Sequence, residues 1–430
     1  LVLCVYTGWG LTALALPRSL RPYTALLTPL IGYALTILVG YLAVSTVLNL
    51  RWALALLLVL TTALNVWAWH RGTRPNPLSW LRDEAALLAL LLLTTLIGVL
   101  PLLNYGFITV IGQGWDTESY FPMAWHLLDY PVARIPEAPS SPLRTLVSDP
   151  PKIGVTLGFS VFQGFTMLIS QQTALQTFAP LLALLRTLGV LSIYIWLRGT
   201  MGLGRWTAWL GAAGASAGAL MLWISYFNFG MQMSAWPLLG LGLVMGIAVV
   251  EALARPDGTQ GHPLRTLLPI ALLGGVVLAA LPVAYYPALT IWVPMAVGLG
   301  AARLIEAFYD REQRQAGMPL RLVGGALALG LATLLLGWLT IPDYFAGFSF
   351  RYSIPAQHVG PERYIALAET IGLMAFRLPD QGAQPPAWLV SVGMALLGLL
   401  VLVGFLLPAT TSVAAESPEQ ARPLYRVRWL

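Results

Sequence analysis

The sequence predicts an all-α integral membrane protein with about eleven transmembrane helices and one re-entrant or interfacial segment, and three observations carry that prediction. Hydrophobic residues make up 57% of the 430 positions and charged residues 10%, whereas a soluble domain carries about 25% charged residues. Apolar runs of roughly 17 to 24 residues recur from end to end, each long enough to cross about 30 Å of hydrocarbon as a helix. Lipid offers no partner to a free backbone amide, so every run defaults to helix.

Runs bounded by charge, Pro or Gly place spans at 1–16, 23–45, 52–70, 85–103 and 178–197, then at 206–223, 235–253, 266–281, 288–304, 322–341 and 388–407. The first run opens at Leu1 with no basic region before it and no small-residue cleavage site, so it is read as a span and not as a cleaved signal. That opening is compatible with further sequence before Leu1. One stretch, 153–170, is ambiguous, and the positive-inside rule decides it. If it does not cross, Arg18, Arg21, Arg71, Arg74 and Arg82 share a side with Arg198, Arg205, Arg255, Arg265, the links from Arg303 to Arg321 and the tail Arg422. That side is the cytoplasm. If it does cross, every later arginine-rich link moves outside. The stretch is therefore expected to be re-entrant or to lie at the membrane surface, after the breaker Pro150-Pro151 and before the polar Ser170-Gln171-Gln172.

The resulting organisation has N-terminal transmembrane helices over 1–103 and an outer loop with interfacial helices and the re-entrant segment over 104–177. A central bundle follows over 178–341, then a second outer loop over 342–387 and a last helix with a cytoplasmic tail over 388–430. Short outer links fall at 46–51, 224–234 and 282–287. The expected location is the cytoplasmic (plasma) membrane, multi-pass, with the long loops on the non-cytoplasmic side. Loops this long in a compact helical protein are usually functional or disordered.

Composition also narrows the function. The net charge of +6 resides almost wholly in arginines within links between spans, which fits topology signals and lipid headgroups and not nucleic acid. Cys4 is the only cysteine, so no intrachain disulfide and no iron–sulfur cluster is expected. His70, His126, His262 and His358 sit in loops or at span ends, whereas membrane haem b needs paired histidines inside facing helices, so no haem is expected. Ion-coupled transporters place titratable groups at mid-membrane depth; here Glu251, Glu306 and His70 lie at span ends. Arg186 is the mid-span exception. A guanidinium stays charged and cannot relay protons by titrating, so Arg186 is expected to face the bundle interior, paired with a carbonyl or polar group.

Chemistry is left to the outer loops. Gly112, Gly114, Trp115, Asp116, Glu118, Tyr120 and His126 follow closely on a span. A carboxylate at Asp116 or Glu118, just outside the bilayer, suits a general base on an acceptor hydroxyl or a ligand to a divalent metal. On spacing alone, capping the N-terminus of an interfacial helix is the stronger role for the pair. Cations on this face run against the positive-inside trend: Arg134, Arg144 and Lys152 in the first loop, Arg351, Arg363 and Arg377 in the second. Guanidinium suits phosphate or pyrophosphate, and pairing with Glu362, Glu369, Asp343 and Asp380 is the competing role. The aromatic, Met and amide residues of 225–233 and the pair Tyr285-Tyr286 fit an interfacial belt or a sugar- or lipid-binding surface.

An apolar helix leading into GWDTESY is followed by the Pro/Gly-marked stretch DPPKIGVTLGFSVFQG, the basic turn IYIWLRGTMGLGR and the outer turn and span NFGMQMSAWPLLGLGL. This layout resembles the GT-C superfamily of polytopic glycosyltransferases, which take sugars from polyprenyl-phosphate donors. The resemblance covers roughly 85–304 and the rest by hydropathy alone. It implies a loop carboxylate at Asp116, with Glu118 as second candidate, that activates the acceptor or binds Mg or Mn. Lys152, Arg144 and Arg351 are assigned to the donor phosphate by location only. Asp-Thr-Glu stands where the family pattern has adjacent acids. Two functions follow as expectations: a transferase acting at the outer face, or a non-catalytic subunit of a larger membrane assembly, such as an energy-converting complex, that holds lipids or other membrane subunits.

Overall fold

The computed structural model describes residues 1–72, 84–105, 116–132, 156–217, 230–254, 263–309, 318–342, 344, 345 and 349, and among them every regular element is helical. In chain order these are α1 (Val2–Ala15), a 3₁₀ turn (Arg18–Tyr23), α2 (Thr24–Val44), α3 (Leu50–His70), α4 (Ala85–Tyr105), α5 (Asp116–Asp129) and α6 (Gly158–Ser170). Then come α7 (Ala174–Ile195) with a π turn (Trp196–Thr200), α8 (Arg205–Ala217), α9 (Gly230–Ala254), α10 (Pro263–Tyr285), α11 (Ala288–Tyr309) and α12 (Met318–Gly337).

Six stretches are long and apolar enough to cross a membrane: Ser19–Val44, Leu50–His70, Ala174–Thr200, Gly230–Val249, Leu267–Tyr285 and Pro319–Gly337. The chain is thus a polytopic membrane protein. Three further expected spans are shorter apolar stretches, Val2–Ala15, Ala85–Leu100 and Ala288–Ala302. The span expected at 206–223 is described only as far as the end of α8, and the one at 388–407 lies outside the described residues.

Several boundaries differ from the hydropathy reading. Helix α7 starts at Ala174 and not at 178, because Thr173 accepts from the Gln176 N–H while the Gln176 side chain accepts from Thr173, a reciprocal capping box. The outer link expected at 282–287 shrinks to the turn Tyr286-Pro287, since α10 runs on through Pro282 to Tyr285. Helix α9 likewise begins at Gly230, inside the expected link.

Small and polar residues set the packing of the first three helices. On α2, Gly32 lies so close to α1 that a Cβ there would fall 1.7 Å from the Cys4 carbonyl oxygen, and a Cβ on Gly8 would fall 2.0 Å from that of Thr28. Close approach of this kind is how transmembrane helices gain contact where lipid is as apolar as leucine. Across the seam Thr7 Oγ1 donates to the Gly32 carbonyl (3.2 Å). From α3, the Asn65 amide accepts from the Gly10 N–H (2.8 Å) and donates to the Tyr6 carbonyl (3.0 Å), bracketing one turn of the α1 ladder.

Contacts sort the elements into two ends. At one end, the N–H of Val132 after α5 donates to Val44 O at the end of α2 (2.9 Å), Asn49 and Arg51 at the start of α3 bind Asp129, and Thr156 before α6 donates to Ala284 O near the end of α10 (2.7 Å). Tyr41 near the end of α2 donates to Leu339 O just beyond α12 (3.2 Å). At the other end, Tyr194 donates to Glu84 Oε2 ahead of α4 (2.8 Å), Glu84 faces Arg205 at 3.9 Å, and Arg198 donates to Leu203 O (3.0 Å). The first group comprises links expected on the outer side and the second comprises arginine-rich links.

Candidate functional site

Helix α5 carries the acidic pair, and its sequence explains its place. Tyr120, Met123, Ala124, Leu127 and Leu128 are all buried, at the i, i+3, i+4, i+7, i+8 spacing of one apolar face, while Trp125 and Tyr130 are exposed. That face lies on α6, whose Phe159, Val161, Phe162 and Phe165 are buried in turn. The approach is close at Gly164, where a Cβ would fall 2.3 Å from Leu50 Cδ1 and 3.4 Å from the Ala124 carbonyl oxygen. The Tyr120 ring sits 5.0 Å from Phe159 and 6.3 Å from Phe178, and its hydroxyl accepts from the Met231 N–H in the first turn of α9 (3.3 Å).

The far end of α5 is fastened separately. Asn49 Nδ2 donates to the Asp129 carbonyl (3.0 Å), and Arg51 Nε to Asp129 Oδ1 (2.9 Å). His126 stacks on Tyr130 with ring centroids 5.4 Å apart, and its Nε2 is buried without a hydrogen-bond partner among the described residues. Burial pushes the His126 pKa below its ordinary value of 6.5, against an opposing hydrogen bond to the Pro131 backbone.

Asp116 is the first residue of α5, and Glu118 follows within the first turn. A carboxylate type in a first turn suits the N–H groups and the positive end of the helix dipole at a helix start. Pro122 lies inside the helix and has no N–H for the carbonyl of residue 118, which opens a backbone acceptor in the same turn. The remaining candidates, Arg144, Lys152 and Arg351, lie outside the described residues, as do Arg134, Arg363 and Arg377. Among the described residues no group of three or more His, Cys, Asp or Glu side chains comes together as a metal cage.

Helix α6 neither begins nor ends at the arginine-rich end. Its start lies against Val283 and Ala284 of α10, and its middle against Gly40 of α2 and Leu50 of α3. Gln163 Nε2 donates to the Ala174 carbonyl at the start of α7 (2.8 Å), and Phe178 one turn later meets Phe159 at 5.3 Å. The reversal between the helices is made by Gln171 in the left-handed region (φ 58°).

Arg186 is fully buried on α7, and its Nη2 donates to the Ser216 carbonyl of α8. Ser216 Oγ meets Thr94 Oγ1 of α4 (2.9 Å), and Thr95 meets Thr187 (2.8 Å), so three helices share one polar seam. The carbonyl partner expected for this guanidinium is in place. Sequence reasoning did not anticipate a cavity of about 630 Å³ between the first turn of α1, the end of α6 and the first half of α7. Its walls come from segments more than 150 residues apart, and only the polar break Ser170-Gln171-Gln172 signals it in the sequence. None of the described residues of α5 lines it.

No protein-family model, curated protein or solved structure matches this chain.

Proposed function

We propose that this protein is a GT-C-like glycosyltransferase of the plasma membrane that moves a sugar from a polyprenyl-phosphate donor to an acceptor at the outer face. In this reading about eleven helices span the bilayer, α6 is the re-entrant or interfacial segment, and α5 lies over it at the non-cytoplasmic surface. The observation that carries the reading is the docking of α5: an amphipathic helix that opens on Asp116, held at one end by Tyr120 against α6, α7 and α9 and at the other by Asn49 and Arg51. A carboxylate carried at the headgroup level by a docked helix is what activation of an acceptor hydroxyl requires.

Asp116 is assigned the role of base, with Glu118 second. Positions two apart on a helix do not share a face, so a divalent ion held by this turn would take one acid from it and complete its shell elsewhere. Lys152, Arg144 and Arg351 are assigned to the donor phosphate.

Native mass spectrometry of the protein gently extracted from its own membrane tests the reading. A lone chain carrying a polyprenyl-phosphate or its sugar adduct, with transfer lost in Asp116→Asn, supports it. A complex of fixed stoichiometry without such a lipid overturns it in favour of a non-catalytic membrane subunit.

A further inference from the structure

The cavity beside α6 has a polarity gradient. Ser170, Gln172 and Gln176 stand where α6 turns into α7, and Pro180, Leu181 and Leu184 line the wall further along α7. Positions 176 and 184 are eight residues apart on one helix, about 12 Å at 1.5 Å per residue. The opposite wall is Leu1, Val2, Leu3 and Cys4, and among the described residues no charged side chain lines the space. Beside the mouth, Val2 and Ile169 are exposed apolar residues, as is Leu175 on the next turn. The turn itself uses much of its own polarity internally: Gln171 Nε2 donates to the Leu168 carbonyl and Ser170 Oγ to that of Thr166, both at 2.7 Å. Gln176 spends its carbonyl oxygen on Thr173, which leaves its amide N–H donors for other acceptors.

We infer that this cavity is a binding site for one acyl chain of a membrane glycerolipid, which enters sideways from the bilayer and leaves its ester and headgroup region at Gln172 and Gln176. The chemistry of the walls selects this occupant. A chamber apolar along its length, with no charged side chain among its described lining residues and amide donors at one end, matches a neutral hydrocarbon chain with hydrogen-bond acceptors at its head. A phosphate would find no cationic side chain among these described residues, and none of the described residues of the helix that opens on Asp116 is among them. Occupancy of the site fills the gap between the α1 and α7 walls.

The test is photo-cross-linking of the full chain in phosphatidylcholine vesicles containing a tracer phosphatidylcholine with a diazirine on one acyl chain, followed by peptide mapping. The expected result is labelling concentrated at Leu181 and Leu184, well above that at Leu334, an exposed residue of α12 that reports ordinary bilayer contact. Leu184→Trp, which fills the cavity, lowers the α7 signal to the Leu334 level and leaves the Leu334 signal unchanged. If that variant does not fold, the wild-type map decides by itself. Equal labelling of α7 and α12 overturns the inference. So does loss of the α7 signal to added polyprenyl phosphate but not to unlabelled phosphatidylcholine, because that would assign the cavity to the donor. Neither result bears on whether Asp116 is required for transfer.

Discussion

Helices α2 and α3 are adjacent in sequence and nearly equal in mean hydropathy, 1.9 for the span ending at Val44 and 1.7 for Leu50–His70, yet 89% of the first is buried inside the protein and 28% of the second. Apolarity therefore does not distinguish a helix surrounded by protein from one that faces lipid. The difference lies in which residues interrupt it. Helix α2 carries Thr28, Gly32, Tyr33, Thr36 and Gly40, all buried and all used against neighbours: Gly32 lets α1 approach, Tyr33 donates to the Ser234 carbonyl (2.7 Å), and Gly40 admits Val161 and Phe165 of α6. Helix α3 instead exposes Trp52, Leu56, Val59 and Val66, and its polar ties to neighbours include Arg51 to Asp129, Thr62 to Tyr6 and Asn65 to Gly10 and Tyr6. In lipid the small and polar residues make the contact, and the large apolar ones face the solvent that suits them.

Substitutions sharpen this comparison. Gly32→Leu is expected to have the largest effect, a loss of about 3 kcal/mol in reversible unfolding from mixed micelles, because its first added carbon meets the Cys4 carbonyl. Asn65→Leu, a more apolar residue, is nonetheless expected to destabilise by about 1–2 kcal/mol, since it removes the bonds to Gly10 and Tyr6. The lipid face of α3 should respond least: Val59→Ala stays within about 0.5 kcal/mol. If Val59→Ala cost as much as Gly32→Leu, the contrast between the two helices would fail.

The docking of α5 adds a smaller, pH-dependent effect. The His126 pKa is lowered in the folded protein by burial, so as pH falls through 6.5 the undocked or unfolded chain takes up the proton first. Docking is then expected to weaken as pH drops below about 6.5, and the loss levels off once the folded form also protonates. Hydrogen exchange at the Val132 N–H, which bonds to Val44 O, reads this after correction for intrinsic rates. The pH dependence should disappear in His126→Phe, which keeps a ring against Tyr130.

Features that a local pattern encodes were legible in the sequence. The stripe Tyr120, Met123, Ala124, Leu127 and Leu128 declares a one-faced helix, and a lone arginine within an apolar run declares a buried pairing, which Arg186 makes with Ser216. The start of α7 was misplaced because hydropathy discards Gln176 and Thr177, which the capping box draws into the helix. The role of Asn65 and the cavity were not legible. Each depends on segments brought together from distant parts of the chain, and an asparagine inside an apolar run looks the same whether it meets a neighbouring ladder or points into a gap. The acids of α5 were found as residues, and the structure adds that both fall in the first turn of that helix.

The central claim is that α6 leaves and returns to one face of the membrane, which places the α6–α7 turn on the same side as α5 and the α2–α3 link. Single cysteines in a Cys4→Ala background test it most directly, at Thr46→Cys in that link, Gln172→Cys between α6 and α7, and Gly202→Cys beyond the π turn. A membrane-impermeant thiol reagent added to intact cells is expected to modify positions 46 and 172 and to reach position 202 only after lysis. Modification of position 202 in intact cells, with position 172 reached only after lysis, would mean that α6 crosses the bilayer, and would contradict the account.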